Sequence, residues 1–403
     1  MAFILQIILV RDLGENIYGD YIIFVSLCSL IYIFSNAGLN IITLRNISIA
    51  FSENSKKLFI KIIYEVTKKA ILFSIIWTFL FTLLGYSKLL SNLNKIISNP
   101  LWVLVGVMSV TILSVGLAVM RGVRLFVRAE ITESILRPLF LLISIFILIR
   151  IYNKSSIEIG YAAFSIANLI IIISIIFQVK KSYYNMPNDS KSLDNFKITS
   201  KSESVILIMV GLVSYCYFQL DTLLVGVFSS SEIVGAYNMA GNFVRIVIIV
   251  ALIATSQMQP MVSIAYKNNE FIEIKKLIKI ACLKSIIAAI IGVITLILLG
   301  KNFLNYVSNS YEDAYLALII LSIAHIFNSI LIVVSGGMLM CNNQSIVIKS
   351  QIAGIIFCIP LYFLLIPKYG MVGASISVLI GLIINFIVLT MFVRSWLLIV
   401  VKK

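Results

Sequence analysis

Residues 371–393 read MVGASISVLIGLIINFIVLTMFV, twenty-three positions without one charged side chain. About 20 predominantly apolar residues cross the hydrocarbon core of a bilayer as a helix. The run is continuous rather than alternating, so it is not a strand of an outer-membrane barrel. Lipid offers the backbone no hydrogen-bond partners, which leaves the helix as the spanning form. Moving outward from this stretch, similar runs fall at 346–366, 314–340, 280–300, 236–260, 204–228, 157–179, 138–152, 101–120, 70–86 and 21–44. Together they make eleven. A twelfth begins at residues 2–10, shorter than the ~17 residues a crossing needs, so a partial helix or a chain starting downstream of its natural beginning is expected. It is not a signal peptide, because it lacks a basic leading region and a small-residue cleavage site. The expected fold is all-α and polytopic, with about twelve transmembrane helices, the first truncated.

Composition agrees. Of 403 residues 61% are hydrophobic and 12% charged, against roughly 25% charged in a soluble domain. The net charge of +15 does not mark a nucleic-acid binder, because the basic residues sit in short loops and form no helix-turn-helix or RNA-binding pattern. Cys28, Cys216, Cys282, Cys341 and Cys358 lie in or beside apolar runs without CxxC spacing, which reads as apolar packing rather than a disulfide or metal site. No GxxxxGK[ST] loop, HExxH or GxSxG at a strand–helix turn is present, and no loop is long enough for a soluble catalytic domain. No cofactor and no metal are expected, and the chain is not expected to be an enzyme.

Charge placement sets the expected orientation. Loops 45–69, 121–137, 180–203, 261–279, 341–350 and the tail from Arg394 hold 23 Lys and Arg, against 7 in the alternate loops. Cytoplasmic loops carry the excess of positive charge, so both termini are expected in the cytoplasm.

The halves resemble each other. Ile17-Tyr-Gly19-Asp-Tyr21 recurs as Ile233-Val-Gly235-Ala-Tyr237, and Ser48-Ile-Ala50-Phe51 as Ser263-Ile-Ala265-Tyr266, at offsets of 216 and 215. Leu148-Ile149 matches Leu365-Ile366, and Gly160-Tyr-Ala162 falls near Gly373-Ala374. An offset of six spans gives two halves of the same orientation, and parallel repeats are a transporter architecture with the path between them. The expected organisation is a lobe over 1–182, a cytoplasmic linker over 183–203 and a second lobe over 204–403.

Several motifs carry a family resemblance. They are Arg11-Asp-Leu-Gly14-Glu-Asn-Ile-Tyr-Gly19-Asp-Tyr21, Asn36-Ala-Gly38-Leu39 followed by Arg45, and Gln219-Leu-Asp221-Thr-Leu-Leu-Val-Gly226 with Glu232-Ile-Val-Gly235-Ala-Tyr237. Near the end stands Leu364-Leu-Ile-Pro367-Lys-Tyr-Gly370-Met-Val-Gly373-Ala374. In order and spacing the chain resembles the O-antigen and capsule flippases of the multidrug/oligosaccharidyl-lipid/polysaccharide exporter superfamily. The resemblance implies two parallel six-helix lobes around a central cavity that opens alternately to each side. It implies a substrate of undecaprenyl-pyrophosphate-linked oligosaccharide, such as an O-antigen, capsule or exopolysaccharide unit, turned from the cytoplasmic to the outer leaflet of the bacterial cytoplasmic membrane. The partners it implies are that glycan lipid, membrane lipids and other glycan-assembly membrane proteins. Family members carry a complete first helix, and this chain has about half of one.

Ionisable groups inside spans are costly and functional by default. Asp221 and Arg245 fall on consecutive antiparallel spans at similar depth. Two readings stand: a structural ion pair, or Arg245 facing the cavity to bind pyrophosphate with Asp221 orienting it or carrying a coupling proton. Arginine suits phosphate because its fork of donors pairs with it and stays charged. Arg45, Arg121, Arg124 and Arg128 stand at cytoplasmic helix ends, as snorkelling anchors or as a cluster drawing an anionic headgroup. Lys284 reads as an anchor. His325, mid-span, is a candidate for proton coupling or a histidine hydrogen-bonded within the bundle. Asn328, Asn342, Gln257 and Gln259 are candidates to meet sugar hydroxyls or to join helices. Tyr215, Tyr217 and Phe218 suit stacking on sugars or packing. Pro260, Pro360 and Gly336-Gly337 mark bends. Two other functions compete: a multidrug exporter of the same superfamily, for which acidic cavity residues are expected, and a membrane glycan polymerase or ligase, for which a long outward loop is expected.

Overall fold

The computed structural model describes residues 2–53, 55–85, 99–152, 156–184 and 208–401, the last stretch apart from residues 210, 214 and 218. Among them every regular element is helical. The chain divides into two compact units, Met1–Tyr215 and Cys216–Lys403. Of the linker expected at 183–203, only residues 183 and 184 are described, and they close a helix.

The first unit holds α1 (Ala2–Leu13), α2 (Glu15–Asn36), α3 (Leu39–Ser52), α4 (Lys56–Gly85), α5 (Pro100–Gly122), α6 (Phe126–Ile131), α7 (Arg137–Tyr152) and α8 (Ile157–Tyr184). The run expected as one span over 21–44 is broken. Ala37 and Gly38 take φ of 43° and 76°, the left-handed region that ends a helix, so α3 starts afresh and carries Arg45 inside it rather than at a span end. Arg121–Arg137, expected as a loop, is also largely helix. A π-helical turn over Thr132–Leu136 joins α6 to α7, and the whole stretch Phe126–Tyr152 is one 27-residue apolar helix. Pro138 supplies the reason: its ring has no N–H and crowds the carbonyl one turn back, and the wider turn accommodates both.

The second unit holds α9 (Leu220–Phe228), α10 (Ser231–Val244), a 3-10 segment Arg245–Ile248, α11 (Ile249–Lys267), α12 (Phe271–Val307), a second 3-10 segment Asn309–Ala314, α13 (Tyr315–Met340) and α14 (Gln344–Val401). At about 1.5 Å per residue, the 58 residues of α14 far exceed one bilayer. Gly370, at φ 53° and ψ −131°, breaks it between the two runs read from sequence. Pro360 lies inside α14 without a comparable break. Nine helices among the described residues are long and apolar enough to span a membrane, Gln344–Trp396 being one of the nine. The chain is a multi-pass membrane protein.

Each unit packs around its fourth span. In the first unit α5 lies against α2, α3, α4 and α8, with Leu113, Val119 and Met120 meeting Ile47, Ile62 and Ile175 in one buried cluster. In the second unit α13 lies against α10, α11, α12 and α14. The same helix of each half is the hub, which fits the repeated motifs. Gly336 and Gly337 are contact points rather than bends. α13 is continuous there, and a Cβ on Gly336 would stand 2.4 Å from Thr255 Cγ2, one on Gly337 2.7 Å from Ile278 Cδ1. Small residues let helix backbones approach closely.

Candidate functional site

The second unit holds Asp221, Arg245, Lys284 and His325 among the ionisable candidates. Asp221 occupies the first turn of α9, where the helix dipole favours a carboxylate. Its Oδ2 accepts from Tyr237 Oη of α10 at 2.7 Å, and its Oδ1 accepts from Thr222 N at 2.8 Å and from Thr222 Oγ1 at 3.4 Å. The carboxylate is half-buried and satisfied by neutral donors. The structural ion pair with Arg245 is therefore corrected: no Asp221–Arg245 bridge is formed among the described residues, because both oxygens of Asp221 are already engaged on its own side.

Arg245 opens the 3-10 segment that interrupts Ser231–Lys267. The change of pitch follows fourteen residues of regular α10. Its side chain is exposed and meets no hydrogen-bond or ion-pair partner among the described residues, while its charge still reaches both Asp221 and His325. His325 is half-buried in α13. Its Nδ1 stands 3.2 Å from Asn328 Nδ2, so the amide donates to an unprotonated ring nitrogen. Asp221 and the His325–Asn328 pair are thus both within electrostatic reach of Arg245, whose guanidinium is exposed.

The first-unit arginines divide. Arg121 Nη2 donates to Glu130 Oε1 at 2.7 Å and to Glu133 Oε2 at 2.6 Å. Two carboxylates hold Arg121, which lies in an ion-pair network rather than standing as a free cation. Arg45 is exposed on α3 and has a partner. Arg124, at φ 65°, and Arg128 are exposed in the turn after α5 and in α6. Lys284 is exposed, as suits an anchor.

Two of the aromatic candidates are tied down. Tyr215 Oη donates to Ser26 O at 3.0 Å within the first unit, and Tyr217 Oη to Gln351 O at 2.9 Å within the second; they are packing residues, and Phe218 lies outside the described residues. Asn342 sits in a left-handed turn, Gln257 is exposed, and half-buried Gln259 packs beside Gly336. All five cysteines are free, and no cluster of metal-binding side chains occurs among the described residues.

One charge escaped the sequence reading. Arg137, counted there among loop residues, lies inside the Phe126–Tyr152 helix.

The family model described as "Polysaccharide biosynthesis protein" matches residues 1–266. A curated relative from Haloferax volcanii, "Probable low-salt glycan biosynthesis flippase Agl15", is 22% identical over 183 residues, 45% of this chain. The match spans only 39% of that relative's length. Among solved structures, an inward-facing multidrug resistance MATE family transporter of the MOP superfamily aligns with all of this chain and 95% of its own, at 15% identity and a TM-score of 0.74. The lipid II flippase MurJ, in an inward closed conformation, aligns with 97% of this chain and 87% of its own, at 17% identity and a TM-score of 0.69. At such identities these two establish a shared fold.

Proposed function

The chain belongs to the polysaccharide biosynthesis protein family, and we propose that it is a flippase for undecaprenyl-pyrophosphate-linked oligosaccharide. In this reading it carries O-antigen, capsule or exopolysaccharide units from the cytoplasmic to the outer leaflet of a bacterial cytoplasmic membrane, with both termini in the cytoplasm. It acts as a transporter, not an enzyme, and needs no cofactor.

The observation that carries the reading is Arg245, an exposed guanidinium within a span and without a partner among the described residues. A charge at that depth is expensive and persists where a ligand or water meets it. A pyrophosphate offers paired oxygens to the arginine fork, and charge-assisted bonds of this kind are among the stronger ones. Asp221, bound by Tyr237 and Thr222 rather than by Arg245, leaves the guanidinium to the headgroup and stands as the coupling carboxylate. His325 is the second coupling candidate. The polyprenyl tail stays in lipid while the two halves rock and re-expose the headgroup, as parallel-repeat transporters do.

Expression in a strain deleted for its own O-unit flippase tests this. Restored surface glycan, with unchanged susceptibility to a panel of cationic drugs, is the expected result. Drug resistance without glycan would overturn the reading in favour of a multidrug exporter.

A further inference from the structure

Arg137 is a second arginine well inside a span, and side chains without formal charge hold it. It stands near the middle of Phe126–Tyr152, about 17 Å from one end and about 23 Å from the other at 1.5 Å per residue. Its Nε donates to Asn168 Oδ1 of α8 at 3.0 Å. Asn168 Nδ2 donates in turn to Ser109 Oγ of α5 at 3.1 Å, and Ser109 Oγ to Gly106 O at 2.8 Å. The guanidinium carbon lies 5.7 Å from the centre of the Phe164 ring. These contacts fix the plane of the guanidinium through one nitrogen and one face. Among the described residues no carboxylate pairs with it, and the donors at the far end of the fork have no partner.

The missing carboxylate has a local cause. Glu133 precedes Arg137 by four residues, the spacing at which opposite charges pair on an α-helix. The intervening turn is π-helical, with bonds to the fifth residue, and no ion pair between Glu133 and Arg137 forms across it among the described residues. Glu133 is turned to Arg121, 2.6 Å away, and Arg137 is turned to Asn168. π-turns of this type occur frequently at functional sites.

A polar row within the same unit leads away from this point. Tyr32 lies within electrostatic reach of Arg137. Ser114 Oγ donates to Thr111 O at 3.0 Å and stands 3.4 Å from Asn36 Oδ1, and Asn36 Nδ2 donates to Asn40 Oδ1 at 2.9 Å. Hydroxyls and amides in sequence along helices α2 and α5 suit a ligand that combines an anion with hydroxyl groups.

We propose that Arg137, positioned by Asn168 while Arg121 holds Glu133, is an anion-binding residue of the first unit that takes a phosphate oxygen of the lipid-linked substrate. The proposal rests on the flippase reading and adds to it a contact separate from Arg245. An apolar helix interior tolerates an unpaired guanidinium poorly, and a phosphate meets the free donors of the fork with charge-assisted bonds.

The purified full chain in lipid nanodiscs is titrated with farnesyl diphosphate, a short isoprenyl diphosphate, by calorimetry. Wild type binds; Arg137→Gln weakens binding about tenfold or more, the worth of one hydrogen bond to a charged group; Arg137→Lys loses less. Asn168→Asp is the decisive variant, because it places a carboxylate against an intact Arg137 and neutralises it within a folded unit. It is expected to weaken binding as Arg137→Gln does while the melting temperature holds. If Asn168→Asp and Arg137→Gln bind as wild type does, this proposal is overturned. Loss of binding in Arg245→Gln alone then leaves the flippase reading standing. Wild type that does not bind the diphosphate would overturn both.

Discussion

Replacing Arg245 with alanine is expected to remove surface glycan from a strain that depends on this chain for its flippase. The argument is energetic. A hydrogen bond to a charged group contributes about 1.5–3 kcal/mol, and each 1.4 kcal/mol is a factor of ten in an equilibrium. Losing even one such contact lowers headgroup binding about tenfold, and losing a bidentate pair lowers it about a hundredfold or more. Arg245→Lys keeps the charge but not the fork, so intermediate display is expected. Because Arg245 is exposed and makes no hydrogen bond or ion pair among the described residues, little packing is lost in either change. Normal amounts of folded protein should accompany the loss. Full display from both variants would remove Arg245 from the phosphate site.

The second large effect is structural. Gly373→Ala is expected to prevent accumulation of folded protein. A Cβ at this position would stand 2.2 Å from Leu365 O and 2.5 Å from Leu365 C. Both are backbone atoms, so no side chain can rotate away, and overpacking costs about 3 kcal/mol or more when the backbone itself must move. The contact exists because the chain turns back on itself at Gly370, whose φ of 53° and ψ of −131° lie outside helical space. Gly241→Ala is the matched control, since nothing lies within 4 Å of its added Cβ and alanine is the better helix former. Thermal unfolding in detergent reads both variants. A Gly373→Ala protein that melts with wild type would contradict the turn at Gly370.

The spanning helices were legible because bilayer thickness translates directly into apolar run length. Their ends were less so. α4 begins at Lys56 and α12 at Phe271, well before the apolar runs at 70 and 280, because lysine-rich turns continue a helix without continuing its hydropathy. Ala37–Gly38 was quoted as a motif, yet its left-handed break depends on backbone geometry that composition does not carry. At the site, the depth match of Asp221 and Arg245 was visible in the sequence, but the choice of partner was not. Tyr237 outcompetes Arg245 for Asp221 because it lies within reach at 2.7 Å, and sequence position gives depth without rotation. Arg121 shows the same limit: its ion pairs with Glu130 and Glu133 join α5 to the segment after it, so an apparent basic cluster is partly neutral. Arg137 was missed for a third reason, since the π-turn that places it within a span has no counterpart in a regular helical periodicity.

Purified protein reconstituted into vesicles with a fluorescent undecaprenyl-pyrophosphoryl oligosaccharide tests the central claim most directly. A membrane-impermeant quencher added outside reports which leaflet holds the headgroup. The account predicts that wild-type vesicles move label between leaflets faster than protein-free vesicles, and that Arg245→Ala vesicles fall back towards the protein-free rate. Equal rates in wild-type, Arg245→Ala and empty vesicles would contradict it.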